Sequence, residues 1–369
     1  QTHKAEQRQK TLTSTTLPCV SENIRMAIKN NVFAECFPHI GSSGLAYAFT
    51  QIIDLARDGK IQLNNPKEFP AKDLKRFLTD SMDLTAYNNG NGVSFYQLNE
   101  LVKANEEVLE RVRDNGDLNP LAGQIVEEIR TLIKMYDGEV TNGIFLSFHR
   151  SIQQDLACVY TIIKDTINKK INIAFRGSVK MLGLITGDNK DWRRNFQPGL
   201  ADLNTPELIK HKLKGELQQS VKVRKGFYEY LFDNEVEIQR YDQIRKDIQT
   251  LLKGETGYKV VVTGHSLGGA LASLLSFKLA GCSKDEDMLE AEYVPIPKPV
   301  TCITWAAPPS GTNDFRIAHE HLEKEGLLRC LRINNWDDSV PTLPPASLFG
   351  GRRMTHAGIN IRLTDSTFH

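Results

Sequence analysis

The feature that most constrains this chain is a serine placed between a strand-like run and a glycine-rich helix start. Residues 258–263 form a continuous, largely β-branched run, which is typical of a strand buried on both faces. The run leads into Gly264-His265-Ser266-Leu267-Gly268-Gly269-Ala270, and residues 267–280 are rich in the small residues of a tightly packed helix. A G-x-S-x-G pattern at a strand–turn–helix junction lifts the serine hydroxyl above the edge of a sheet. The pattern therefore predicts Ser266 as a catalytic nucleophile, with the Leu267 N–H facing the site where an oxyanion would form.

The rest of the carboxyl-terminal half alternates between short strand-like and helical runs. The predicted strands are residues 155–163, 170–175, 258–263, 301–305 and 328–333. The predicted helices are residues 205–219, 224–253, 267–280 and 313–324. This alternation predicts an α/β fold with a mostly parallel central sheet flanked by helices.

The amino-terminal part has a different pattern. Residues 1–20 are polar, and residues 21–145 carry apolar positions at three- and four-residue spacing, interrupted by Gly, Asn and Pro. We therefore expect a flexible tail over 1–20, a mainly helical region of unknown role over 21–145 and a catalytic domain over 146–369.

Charge and apolar patterning exclude several classes of protein. The 369 residues carry 46 Lys and Arg against 45 Asp and Glu, so the chain has no basic field, and nucleic acid is not expected as a partner. No apolar run reaches the roughly 18–20 residues needed to span a bilayer.

The six cysteines lack zinc-ligand spacing, and Cys158 and Cys302 lie in strand-like runs where we expect buried thiols. The chain begins with Gln1 rather than Met, which is consistent with further residues upstream. It shows no apolar secretory segment, and we expect a cytoplasmic or lipid-surface location.

A serine nucleophile needs a base and an acid. In α/β folds that carry the G-x-S-x-G turn, the acid follows the serine along the chain and the histidine base comes last. The histidines after Ser266 are His319, His321, His356 and His369. The first two lie on a charged predicted helix, where we expect them at the surface, and the last is the terminal residue. His356, in a polar loop before an alternating apolar run, is therefore the predicted base.

Two candidate acids follow the predicted strand 328–333, at the carboxyl end where α/β active sites lie. These are Asp337 and Asp338, and position alone leaves them nearly equal. Pro341 stiffens the loop after Asp338, which favours Asp338.

Several segments together resemble the fungal-type (class 3) lipase family of α/β-hydrolases over residues 146–369. They are Phe175-Arg176-Gly177-Ser178, Val223 to Phe227, the Gly264–Ala270 motif, Trp305 to Gly311, Asp338-Ser339-Val340-Pro341 and His356-Ala357-Gly358. The resemblance implies Asp338 as the acid of a Ser266–Asp338–His356 triad. It also implies an oxyanion hole formed by Ser178 and the Leu267 N–H, an acyl-enzyme mechanism, and no metal or organic cofactor.

The family also carries an amphipathic lid, which the resemblance assigns to residues 179–198. The apolar residues of this segment are Met181, Leu182, Leu184, Ile185, Trp192 and Phe196, beside Arg193 and Arg194. Apolar and basic residues in one segment suit a flap that covers an acyl groove and makes transient contact with a lipid surface.

Residues 88–97 are similar to an EF-hand calcium loop, but Gln97 stands where a bidentate glutamate belongs and the spacing is one residue short. We therefore expect a helix-connecting turn there rather than a calcium site.

The sequence thus predicts a serine hydrolase of lipid carboxylic esters, similar to triacylglycerol and diacylglycerol lipases. A phospholipase A1-type enzyme and an esterase of soluble feruloyl or acetyl esters are the alternatives. A non-catalytic interaction protein on a hydrolase scaffold is disfavoured because all three triad residues are present.

Overall fold

The computed structural model describes residues 32–57, 92–104, 130–134, 142–153, 156–178, 199–232, 239–283, 294–343 and 353–363. The chain divides into two compact units, residues 1–37 and residues 38–369. In the first unit the described residues form the start of the first helix. The second unit contains the rest of that helix and both sheets described below.

Within the described residues, eight strands form the larger sheet in the order β1-β2-β3-β4-β7-β8-β10-β12. They are β1 (Val93–Ser94), β2 (Ile144–Gln153), β3 (Leu156–Asp165), β4 (Lys170–Phe175), β7 (Lys259–His265), β8 (Val300–Trp305), β10 (Leu328–Asn335) and β12 (Ile359–Leu363). The pairings from β4 through β12 are all parallel, whereas β1 to β4 pair antiparallel. The predicted α/β fold with a mostly parallel central sheet is confirmed.

The described helices and the strands of a smaller sheet complete the fold. The helices are α1 (Val32–Arg57), α2 (Phe95–Ala104), α3 (Glu207–Lys210), α4 (Lys225–Phe232), α5 (Arg240–Leu252), α6 (Leu267–Gly281) and α7 (Asn313–Lys324), with 3₁₀ turns at Gly215–Gln218 and Val340–Thr342. Residues 130–134 are also helical. The smaller sheet has the order β11-β9-β6-β5, with β5 (Leu200–Asn204), β6 (Ser220–Arg224), β9 (Gly311–Thr312) and β11 (Met354–Thr355).

The structure corrects two of the predicted helices. The structure gives residues 205–219 one short helix and a 3₁₀ turn, and residue 224 ends strand β6. Residues 225–232 and 240–252 are helical as predicted. Strand β6 is too short to show a clear period of two, so the predicted helix began one residue early, at residue 224.

The core explains why β7 lies at the centre of the sheet. Val260 and Val262 on β7 are fully buried, and α6 packs across β7 and β8 with nearly all of its residues buried. A helix that is apolar on every side has to lie inside the molecule, as its composition requires. The end of β7 is therefore held rigidly where α6 begins.

Helix α1 lies against the sheet through a run of small residues. Residues 41–44, Gly-Ser-Ser-Gly, are all buried, and the Ser42 hydroxyl oxygen accepts a hydrogen bond of 2.5 Å from the Asn172 side-chain amide on β4. Small side chains let the helix backbone come close to the strand. This contact places residues 41–44 beside the strand that leads to Phe175. The domain boundaries predicted at 20/21 and 145/146 stay predictions.

Two expectations about single side chains can be compared with the structure. Cys158 and Cys302 are buried free thiols, as predicted. His319, expected at the surface, is fully buried beside the rings of Phe277 and Phe315. That expectation was wrong because one face of α7 packs on α6, while its charged residues lie on the other faces.

In the part of the chain that the structure describes, every helix is too short or too polar to cross a bilayer.

Candidate active site

Ser266 lies on a sharp turn between β7 and α6. Its φ of 55° and ψ of −124° fall in a region that non-glycine residues rarely adopt. The Ser266 N–H donates to the Trp305 carbonyl at 2.9 Å, and its own carbonyl accepts the Gly269 N–H at 3.0 Å. Such a conformation costs on the order of 1–3 kcal/mol and persists only where the surroundings enforce it. The turn is thus held from both sides, by the neighbouring strand and by the first turn of the helix.

The two glycines around Ser266 are required by close backbone contacts. A Cβ on Gly264 would lie 2.2 Å from the Gly268 carbonyl, and a Cβ on Gly268 would lie 2.4 Å from the Phe175 carbonyl oxygen. No side chain fits at either distance, so the spacing G-x-S-x-G is a steric condition of the turn.

The segment after β4 packs directly against the nucleophile. A Cβ on Gly177 would lie 3.3 Å from the Ser266 Cβ and 2.5 Å from the His265 carbonyl oxygen. Ser178 follows immediately, and Leu267 begins α6, whose first-turn N–H groups have no partner within the helix. The two predicted oxyanion donors, Ser178 and Leu267, therefore stand on the two segments that flank Ser266. Their catalytic role stays a prediction.

Asp338 lies in the turn after β10, at the same edge of the sheet. Its carboxylate oxygen Oδ1 accepts the Val340 N–H at 2.8 Å, which fixes the side chain in the loop that ends at the 3₁₀ turn. Desolvation lowers the pKa of His265, and the Asp338 carboxylate opposes this shift, so the negative charge lies close to the nucleophile motif. Asp338 is half-buried, whereas Asp337 is exposed.

His356 is bonded to the loop that carries Asp338. Its Nε2 donates to the Pro341 carbonyl at 2.8 Å. Among the described residues, no hydrogen bond joins His356 to Ser266 or to Asp338. Burial lowers the pKa of His356 to about 4, the Arg332 guanidinium acts in the same direction, and the Pro341 contact opposes it. The base role predicted for His356 stays a prediction, and the structure shows a different contact for its imidazole.

Two further predicted segments lie partly or wholly outside the described residues. All of the proposed lid residues, Met181, Leu182, Leu184, Ile185 and Trp192, lie outside them, as do residues 88–91 of the calcium-like loop. In the described part of that loop, the Gln97 side-chain oxygen accepts the Ser94 N–H at 3.0 Å, and the Ser94 hydroxyl accepts the Gln97 N–H at 3.1 Å. These two hydrogen bonds form a capping box at the start of α2, so Gln97 has a structural role there.

One residue beside the nucleophile was missed by the sequence reasoning. Tyr47 of α1 places its hydroxyl oxygen 3.1 Å from His265 Nδ1. The two residues are 218 positions apart, and neither helical periodicity nor a motif links them. No local sequence signal could have found this contact.

A nucleophile elbow at the carboxyl edge of a mostly parallel sheet, with a glycine loop packed on the serine, defines an α/β-hydrolase-type domain. The comparison with protein families agrees with this class. Residues 172–348 match the family described as Lipase (class 3), so just under half of the chain is similar to that family.

Curated relatives match about half of the chain. Phospholipase A1-IIgamma of Arabidopsis thaliana is 28% identical over 186 residues, which cover 48% of this chain and 39% of that protein. Galactolipase DONGLE, chloroplastic, of Arabidopsis thaliana is 27% identical over 189 residues, covering 49% of this chain and 35% of that protein. The matched region thus spans less than two fifths of the length of each of these two relatives.

Solved structures of fungal lipases are also similar. The lipase from Rhizopus microsporus var. chinensis has 22% sequence identity and a TM-score of 0.42, covering 63% of this chain and 64% of that chain.

Proposed function

We propose that this chain is a carboxylic ester hydrolase that cleaves acyl esters of glycerolipids, with Ser266 as the nucleophile. The observation that carries the proposal is the strained φ of 55° at Ser266, held between a neighbouring strand and a helix start, with Gly177 packed against its Cβ. Strain at a single polar residue in an otherwise regular junction is a property of functional sites.

The proposed reaction begins with attack of the Ser266 oxygen on the ester carbonyl. The carbonyl oxygen takes up negative charge, which the Leu267 N–H and both the N–H and the hydroxyl of Ser178 stabilise by hydrogen bonds. The tetrahedral intermediate then collapses, the alcohol leaves with a proton, and water hydrolyses the acyl-enzyme. The positive end of α6 lies behind the serine and favours the developing charge.

Proton transfer from Ser266 requires a base, for which we propose a histidine imidazole oriented by Asp338. The sequence-derived candidate is His356, whose Nε2 would have to exchange the Pro341 carbonyl for the serine hydroxyl. A pKa near 4 leaves its imidazole neutral at pH 7 but weakly basic, whereas an efficient base has a pKa near the working pH.

The proposed substrates are phospholipids and galactolipids, ahead of triacylglycerols. The names of the matched relatives, a phospholipase A1 and a galactolipase, support this order. The predicted lid residues, including Trp192, support contact with a lipid surface.

The experiment measures fatty-acid release from phosphatidylcholine, monogalactosyldiacylglycerol and triolein, with p-nitrophenyl butyrate as a soluble control ester. The wild-type chain should hydrolyse the lipid esters, and Ser266→Ala should lose more than 10³-fold in kcat with an unchanged melting temperature. Retained hydrolysis in folded Ser266→Ala would refute the nucleophile. Hydrolysis of the soluble ester alone would refute the lipid substrate.

A further inference from the structure

Tyr47 brings helix α1 into contact with the nucleophile motif. Its hydroxyl oxygen lies 3.1 Å from Nδ1 of His265, the residue directly before Ser266. The two rings meet edge to face, with centroids 6.0 Å apart. This is a polar contact between the amino-terminal region and the catalytic edge of the sheet.

The same hydroxyl also meets the loop that precedes the oxyanion donor Ser178. A Cβ on Gly177 would lie 2.1 Å from the Tyr47 hydroxyl oxygen and 3.3 Å from the Ser266 Cβ. Tyr47 and Ser266 therefore lie against the same glycine. Any side chain at position 177 would push the phenol, the nucleophile and the loop apart.

The charge states allow the hydroxyl to bridge both neighbours. Burial raises the pKa of Tyr47 well above its usual value, while the Arg176 guanidinium and the Gly177 N–H act in the opposite direction. The phenol thus keeps its proton at every working pH. A neutral hydroxyl can donate to one partner and accept from another, so it can donate to His265 Nδ1 and accept the Gly177 N–H.

We propose that Tyr47 is a positioning residue of the esterase site, which ties His265 to Gly177 and thereby fixes Ser178 relative to Ser266. The inference rests on the proposed function. Tyr47 acts through the oxyanion loop and does not itself take part in the chemistry.

The expected effect is smaller than the loss of an oxyanion donor. Removing such a donor typically costs about 10²–10³-fold in kcat. Removing only the contact that holds the donor loop should cost less, on the order of tenfold. Because the loop stabilises charge that develops during the reaction, the loss should fall on kcat and leave KM unchanged.

The first variant is Tyr47→Phe, which keeps the ring and removes the hydroxyl. Its matched control is Tyr241→Phe, which removes a buried hydroxyl that also has a partner at 3.1 Å, Cys282 Sγ, near the far end of α6. Both are assayed in the full chain with p-nitrophenyl butyrate, and a fluorophosphonate gives the rate of covalent inactivation. For Tyr47→Phe, kcat and the inactivation rate should fall by the same factor of about ten, with unchanged KM and melting temperature. Tyr241→Phe should match the wild type.

A second measurement keeps the inference testable if Tyr47→Phe proves less stable. In a Ser178→Ala background the oxyanion hydroxyl is already lost, so adding Tyr47→Phe should reduce kcat by a smaller factor than in the wild type. An unchanged kcat in Tyr47→Phe, an increase in KM alone, or equal factors in both backgrounds would overturn the inference. An inactive wild type would instead overturn the proposed function.

Discussion

The imidazole of His356 is held by a backbone carbonyl. Pro341, three residues after Asp338, accepts its Nε2–H at 2.8 Å, so the histidine fixes the loop that carries the carboxylate. The Val340 N–H fixes the same loop from inside, through Asp338 Oδ1. In this arrangement His356 stabilises the loop of Asp338, and to act as the proposed base it has to exchange the Pro341 carbonyl for the Ser266 hydroxyl.

The proposed base role predicts how substitutions at His356 behave. His356→Gln keeps a side-chain N–H donor for Pro341 but cannot take up the serine proton, so it should lose 10³-fold or more in kcat. His356→Leu removes the donor as well and should lose at least as much. The measurement is kcat against pH with a soluble ester. Added imidazole should restore part of the activity of both variants. A folded His356→Gln chain that keeps kcat within about tenfold of the wild type would contradict the base role and leave His356 only its contact with Pro341.

At this scale the sequence was informative where the chemistry is local. Ser266 could be predicted because the glycines that permit its turn are its sequence neighbours. Tyr47 could not, because its contact with His265 depends on how α1 packs against β4. The partner of His356 is likewise a matter of loop geometry, which no motif encodes.

At the scale of elements, the contact between β2 and α5 buries two titratable groups. His149 of β2 stacks on Tyr160 of β3, with ring centroids 4.6 Å apart, and its Nδ1 lies 4.0 Å from Oδ2 of Asp247 on α5. Burial lowers the pKa of His149 to about 4 and raises the pKa of Asp247 to about 6. Gln243, which donates to Asp247 Oδ1, and Lys246 oppose the shift of the carboxyl group.

The two shifts have opposite effects on stability. The raised pKa of Asp247 means that burying its carboxylate destabilises the fold above pH 6, and this cost disappears as the pH falls towards 4. The lowered pKa of His149 means that stability is lost as the pH falls from 6.5 to 4. In the wild type the two contributions largely cancel across this interval.

Single substitutions should separate these contributions. Asp247→Asn keeps the acceptor for Gln243 and should be more stable than the wild type at pH 7, by up to about 3 kcal/mol for a shift of about two units. This advantage should vanish by pH 4. His149→Gln should gain stability relative to the wild type as the pH falls over the same interval. Urea unfolding at pH 7, 5.5 and 4 measures both. An Asp247→Asn variant less stable than the wild type at pH 7 would show that attraction between His149 and Asp247 outweighs the burial cost.

Strands and helices could be predicted where their pattern of residues extends over a long stretch of sequence. β7 and α6 appear in the sequence as a β-branched run and a small-residue helix, and both are present. The strands of the smaller sheet were missed because they are two to five residues long and pair across distant parts of the chain, as Val223 does with Gly311. Burial of His319 was missed because the packing of α7 on α6 is a tertiary property.

For the whole molecule, residues 38–369 form one compact unit in which the amino-terminal helix reaches the catalytic edge. The near-neutral charge, 46 basic against 45 acidic side chains, gives no long-range field towards a charged surface. We therefore expect recognition of a lipid substrate to depend on local features around Ser266. This arrangement gives part of the amino-terminal region a place beside the site, which its sequence alone did not indicate.

The central claim is that Ser266 is an activated nucleophile, and covalent trapping tests it most directly. The wild-type chain is treated with a fluorophosphonate, digested and analysed by mass spectrometry, with Ser266→Ala as the control. We predict one phosphonyl group per chain, located on the peptide that contains Ser266, loss of ester hydrolysis in proportion to labelling, and no label in Ser266→Ala. A wild type that hydrolyses esters without label on Ser266, or a Ser266→Ala chain that labels equally, would contradict the account.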